Sequence, residues 1–214
     1  MSAHLKELKV LFTSEARARV LARFLLNTQD RLYQGEVARL ERLPVKAVQR
    51  EVAKLVRFGL LKRAGASKRR RFFRANPEHP LYPEVKAILL KTLLLGSRVE
   101  RLKKPPFTKI RCAFVFGSFA KAGEDRKSDI DIIVIGSIST EEWLRVVAGS
   151  RLTLDFRPES SIVMPEEEFR RRIGAREDFL TRVVAGPKIF LLGGQDELNR
   201  LGEGAKTAAS QGHP

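Results

Sequence analysis

Two aspartates one residue apart, Asp129 and Asp131, follow a Gly117-Ser118 pair after ten intervening residues. Each half of this arrangement suits phosphate chemistry. The apolar run Ala113–Phe116 reads as a strand that ends in Gly117, and a short helix is expected beyond Ser118. Backbone N–H groups at such a strand-to-helix turn can cradle phosphate oxygens, and a glycine lets the ligand approach closely. Asp129 and Asp131 open a second apolar strand, Ile130 to Gly136. Side chains at i and i+2 on a strand share a face, so both carboxylates aim the same way. Two neighbouring carboxylates resist ionising together unless a cation joins them. Mg²⁺ takes carboxylate and phosphate oxygens readily, with Mn²⁺ as a substitute. Metal-assisted transfer at phosphorus is the chemistry these types and spacings suit.

The elements around the motif are those of a small sheet with helices. Ile110–Phe116 is apolar enough to be buried, and the chain's single cysteine, Cys112, lies inside it, so a small core side chain is expected rather than a reactive thiol. His4, His79 and His213 are scattered and have no zinc-ligand spacing. Pro165-Glu-Glu-Glu-Phe169 starts a helix, expected to continue through Ile173, Phe179 and Val183, and Lys188–Gly193 reads as another strand. Arg170, Arg171 and Arg172 are expected on a solvated face of that helix. The stretch from Gly202 is small and polar, and is expected to lack structure.

The N-terminal part differs in charge. The whole chain has a net charge of +16, and residues 1–80 hold 19 of the 41 Lys and Arg but only 7 of the 25 Asp and Glu. So local an excess points to a polyanionic partner. Ser14 is a helix cap before a stripe of Val20, Leu21, Phe24 and Leu25; a short helix follows over Gln34–Arg42, with Val37 and Leu40 inward. Pro44 starts a third helix with an apolar stripe of Val45, Val48, Val52, Leu55 and Val56, and Gly59 stops it. Leu60–Arg63 and Arg70–Ala75 flank a Gly65–Lys68 turn, which makes a hairpin. Three prolines between Asn76 and Pro83 break the chain before an apolar helix from Glu84 to about Gly96, which must be covered by another domain or a second copy.

Helix, short helix, longer helix and basic hairpin resemble the winged helix-turn-helix family. That resemblance implies double-stranded DNA as partner, with the third helix in the major groove and the hairpin on the flanking backbone. Lys46, Gln49, Arg50 and Lys54 then lie on the recognition face, where Gln suits adenine and Arg suits guanine. Lys68, Arg69, Arg70 and Arg71 at the hairpin become phosphate contacts. Gly117-Ser118, the spacer and Asp129-Ile-Asp131 resemble the DNA polymerase β-type nucleotidyltransferase superfamily, in its minimal branch, although the family often has glycine where Ala122 stands. This second resemblance implies a nucleoside triphosphate substrate, phosphates on Gly117 and Ser118, and catalytic metal on Asp129 and Asp131. It also implies a third carboxylate, for which Glu159, six residues before Pro165, is preferred to Asp155.

The expected fold is α+β in two domains: a winged helix over 1–80 and a nucleotidyltransferase fold with a small mixed sheet flanked by helices over 105–201. Residues 81–104 are expected as a linker helix and 202–214 as an unstructured tail. A cytoplasmic protein is expected, since no segment reaches the roughly 20 apolar residues of a membrane helix and no apolar signal core opens the chain. Three functions stand: a DNA-directed transferase, a DNA-binding regulator whose transferase domain only binds nucleotide or is inactive, and an antitoxin-like protein with a helical toxin-like partner. A homodimer fits the paired half-sites that such DNA readers use.

Overall fold

The computed structural model of the protein describes residues 12–26, 31–67, 70–95, 102–121, 130–148 and 161–209. Among these, the residues up to 95 form one compact unit and those from 102 onward a second. No described helix is long and apolar enough to cross a membrane.

Among the described residues the first unit has four helices and a three-stranded sheet. Ser14 caps α1 (Glu15–Leu25), its side chain accepting from the Arg17 N–H, and Ala18, Val20, Leu21, Phe24 and Leu25 are buried. α2 (Gln34–Glu41) ends at Arg42, which takes the left-handed conformation while the Leu43 N–H bonds back to the Ala38 carbonyl. α3 (Val45–Phe58) stops at Gly59, whose φ of +91° is what glycine tolerates best. Val48, Val52 and Leu55 fill its inner stripe, whereas Val45, at the very start of the helix, stays 47% exposed. Leu40, expected inward, is 39% exposed; the short α2 turns Val37, Ala38 and Glu41 to the core instead.

β2 (Leu61–Ser67) and β3 (Arg70–Ala75) form the expected hairpin, and a strand that the sequence reading lacked, β1 (Leu32–Tyr33), pairs antiparallel with β3 on its other edge. Two residues are too few to show alternation. α4 (Tyr82–Leu95) packs on α1, with Leu89, Leu90, Leu93 and Leu94 buried. Charge also holds the unit together. Glu41 and Glu51 are buried, Arg23 Nε lies 2.5 Å from Glu41, and Arg17 Nε lies 2.8 Å from Glu51. Breaking one partner of such a pair strands the other charge away from water, at a cost of about 3–5 kcal/mol when burial is complete.

The described part of the second unit has a mixed sheet of four strands, which run side by side in the order Ser161–Met164, Asp131–Gly136, Ile110–Phe116, Ile189–Leu192. β4 (Ile110–Phe116) pairs antiparallel with β5 (Asp131–Gly136) and with β7 (Ile189–Leu192), and β6 (Ser161–Met164) lies parallel to β5. Cys112, Phe114, Phe116, Ile133 and Ile135 share one core with Met164, Phe169, Leu180, Leu198 and Leu201. α5 (Thr140–Ala148) carries the fully buried Trp143.

Two expectations for this half are corrected. The single helix expected through Phe169 and Val183 is two, α6 (Glu166–Gly174) and α7 (Asp178–Ala185), separated by Arg176 at a φ of +53°. The apolar spacing already breaks there: Ile173 and Phe179 are six apart, which no helical stripe accommodates. Lys188 then seals the end of α7, its Nζ donating to the carbonyls of Val184 at 2.5 Å and Gly186 at 2.6 Å. The stretch from Gly202, expected to be unstructured, continues α8 (Gln195–Ala209), with Leu198 and Leu201 anchoring its start in the core.

Candidate functional site

Strand pairing, rather than the spacer, brings the motif together. Phe116, the last residue of β4, is the ladder partner of Asp131, the first residue of β5. Paired residues share a face, so the Asp131 carboxylate stands on the side of Phe116, Phe114 and Ile133, at the rim of that core. The rim is packed: the Phe179 ring meets Phe116 edge-on at 5.9 Å, and Phe119 and Ile130 are buried next to Ser118 and Asp131 in the chain.

Gly117 turns the chain at this rim with a φ of +73°, a conformation that side chains rarely adopt. A methyl group at Gly117 would begin 3.0 Å from Asp131 Oδ2. The glycine therefore serves twice: it permits the turn and it leaves the carboxylate lying directly against the backbone. Ser118 opens the following turn, in which the Lys121 N–H bonds to the Ser118 carbonyl at 3.2 Å. Asp131 itself is half-buried.

Asp129, Glu159 and Asp155 lie outside the described residues, as does Ser128. Among the described residues no group of three or more His, Cys, Asp or Glu is placed to hold a metal. The parallel register sets Ser161 of β6 beside Ile132 of β5, so the two strands begin at the same end of the sheet. Glu159 stands two positions before Ser161 in the sequence. Cys112 is fully buried, and burial, with a contribution from Glu197, pushes its thiol up to about 12, so it is no nucleophile at neutral pH.

On the first unit, Lys46, Gln49, Arg50 and Ala53 line a shallow concavity of about 600 Å³ on the exposed side of α3. Lys54, expected on the same face, instead has its ammonium 3.0 Å from Glu51. Glu51 titrates below the ordinary carboxylate value: burial opposes its ionisation, but the hydrogen bonds from Arg17 and Lys54 outweigh that. Arg70 and Arg71 are exposed on β3, and Arg70 lies over the Tyr33 ring; Lys68 and Arg69 are outside the described residues.

Among its described residues the first unit has a large set of exposed cations without carboxylate partners. Arg39, Arg42, Lys46, Arg50, Arg57, Arg63, Arg70, Arg71 and Arg74 are all exposed, and none is paired with a carboxylate among the described residues. In the second unit Lys109 is tied to Glu142, Arg111 to Glu197, Arg145 to Glu141, Arg170 to Glu166, and Arg172 to Glu168 and Glu177, while Lys103, Lys104, Arg171, Arg176 and Arg182 are exposed without a carboxylate partner among the described residues. Composition cannot separate these cases, because it counts charges without their partners. Sequence reasoning also missed Glu41, Glu51 and Tyr33, whose local setting carries no motif.

No curated protein and no solved structure matches the chain. Residues 99–166 match the family model described as polymerase beta, nucleotidyltransferase, a span that includes Gly117, Ser118 and Asp131. The match supports a nucleotidyltransferase-type reading of this part of the chain, which includes β4 and β5 of the second unit.

Proposed function

We propose that the protein is a nucleotidyltransferase directed to DNA by its first unit, moving a nucleoside monophosphate from a nucleoside triphosphate to an acceptor hydroxyl with pyrophosphate as the leaving group. The observation that carries this reading is the Asp131 carboxylate set against the bare backbone of Gly117, at the end of a strand pair inside the matched family span.

The residues present suit Mg²⁺. A carboxylate at the rim of a sheet, beside a glycine cradle that a single methyl would fill, is the donor type and shape that a hard cation bridging to phosphate needs. Asp131 and Asp129 would hold it, with Mn²⁺ as a substitute and Glu159 or Asp155 as third acid. When bound, the ion would neutralise charge developing on the phosphoryl oxygens. Gly117 and Ser118 hold the outer phosphates through backbone N–H groups and the hydroxyl, so most of the catalytic effect is placement. The third acid accepts the proton from the attacking hydroxyl.

The first unit is read as a winged helix that binds double-stranded DNA. Lys46, Gln49 and Arg50 of α3 face the bases, and Arg70 and Arg71, with Lys68 and Arg69, face phosphates. The exposed, unpaired cations support this, because their charge is not spent on the protein itself.

Calorimetric titration of ATP and GTP with and without Mg²⁺, on the wild type and on Asp129→Asn/Asp131→Asn, tests the transferase. Metal-dependent binding that disappears in the double variant is the expected result. No nucleotide binding, alongside intact DNA binding, would leave a DNA-binding regulator with an inactive transferase fold; that second reading rests on the same unpaired cations.

A further inference from the structure

The outward face of the first unit's sheet carries an arrangement that packing does not require. Tyr33 and Phe72 are ladder partners on the face opposite Phe73, which is buried in the core. Their rings meet edge-on, with centroids 6.0 Å apart. Arg70 stands two residues before Phe72 on β3 and so shares its face; its guanidinium carbon lies 4.6 Å from the centre of the Tyr33 ring. Gly35 makes room for the ring, since a methyl there would start 3.1 Å from Tyr33 Cε2. On the other edge, Gly65, opposite Phe72 and at a φ of +123°, leaves space beside Arg31, whose Nη1 lies 3.7 Å from where a Gly65 side chain would begin.

We propose that Tyr33 is a positioning residue for Arg70: it holds the exposed guanidinium over its ring as a preset contact for the phosphates of double-stranded DNA. This rests on the DNA-binding reading above and adds to it a residue from outside both the recognition helix and the hairpin. The physical argument is one of entropy. A free arginine must give up its rotamer freedom when it grips a phosphate, whereas one already stacked on a ring has lost much of it before binding. The ring attracts the cation through its face and leaves the hydrogen-bonding edge unused. A carboxylate in the same place would fix Arg70 equally well but would cancel its charge.

Fluorescence anisotropy with a labelled duplex of random sequence, titrated at several salt concentrations, tests the idea on the full-length chain. Arg70→Ala should weaken binding and reduce the slope of log affinity against log salt by about 1. Tyr33→Leu should weaken binding roughly two- to fivefold while Arg70 is present, and have no effect in the Arg70→Ala background. Tyr33→Phe keeps the ring and should bind as wild type. Gly35→Ala, which crowds the ring without touching charge, should give a smaller loss that also disappears with Arg70. An equal loss from Tyr33→Leu with and without Arg70 assigns Tyr33 a purely structural part and overturns the proposal. So does Arg70→Ala binding like the wild type. A wild type that binds no duplex at low salt removes the DNA-binding reading itself, while loss of binding in Arg50→Ala beside an unaffected Arg70→Ala removes only the part given to Tyr33.

Discussion

Replacing Gly117 by alanine should damage the second unit in two separable ways. The first is backbone strain: at a φ of +73° an L side chain costs about 1–2 kcal/mol. The second acts on the site alone, because the new methyl starts 3.0 Å from Asp131 Oδ2, so either the carboxylate or the strand end must move. Disturbing the support of a metal ligand costs roughly 10- to 100-fold in metal affinity, so a displaced Asp131 carboxylate should weaken Mg²⁺-dependent nucleotide binding roughly tenfold. Gly193→Ala is the matched control. Its φ is +71°, and its methyl would meet the Arg111 carbonyl oxygen at 2.8 Å and Cys112 Cα at 3.3 Å, a clash with backbone that cannot swing aside. This lies at the other end of β4, five residues or about 17 Å along the strand from Gly117. Unfolding by urea can be followed by fluorescence of Trp143, the chain's only tryptophan, which is fully buried in this unit. Calorimetry then measures Mg²⁺-dependent ATP binding under conditions where both variants are folded. Both should lose stability, Gly193→Ala at least as much, and only Gly117→Ala should lose nucleotide affinity. Equal loss of affinity in both variants, or none in Gly117→Ala, would falsify the assignment of the Gly117–Asp131 rim as the nucleotide site.

Two predictions concern groups that the transferase chemistry does not use. Burial lowers the Lys86 ammonium from 10.5 to about 8, so its contribution is least favourable below pH 8, where folded and unfolded chains are both protonated, and stability should rise between pH 8 and 10, by at most about 3 kcal/mol over the whole shift. Above pH 10 the burial-raised Tyr82 opposes this, because its unfolded form ionises first; Lys86→Met should therefore remove the rise between pH 8 and 10, read from urea unfolding followed by far-UV ellipticity at each pH. Cys112, fully buried and pushed up to about 12, should react with a thiol reagent only through opening of the second unit, so with reagent concentrated enough for opening to limit the rate, labelling should rise with urea and not with pH between 7 and 9.

What could be read from the sequence, and what could not, follows from the range of the interactions. α1, α3 and the hairpin were foreseeable because their signals are local: the Ser14 cap, Pro44 before α3, Gly59 after it, and stripes at helical spacing. β1 could not be foreseen, because two residues become a strand only when β3 is beside them. The buried Glu41 and Glu51 were equally hidden, since a glutamate in a charged helix looks solvated until Arg23 and Arg17 arrive from α1. The charge excess at the N-terminus was plain in composition, but which cations are available to a partner depends on carboxylates brought near by folding. The site falls between these cases. Gly117 and Asp131 stand out by type, yet the ten residues between Ser118 and Asp129 say nothing about distance. The ladder pairing of Phe116 with Asp131 sets that distance, through backbone hydrogen bonds indifferent to what the connecting loop contains. A spacer of different length or composition therefore leaves the Gly117–Asp131 contact in place, provided β4 and β5 keep their register. A slip of one residue in that register would turn Asp131 to the opposite face of the sheet and abolish the contact with every motif residue intact.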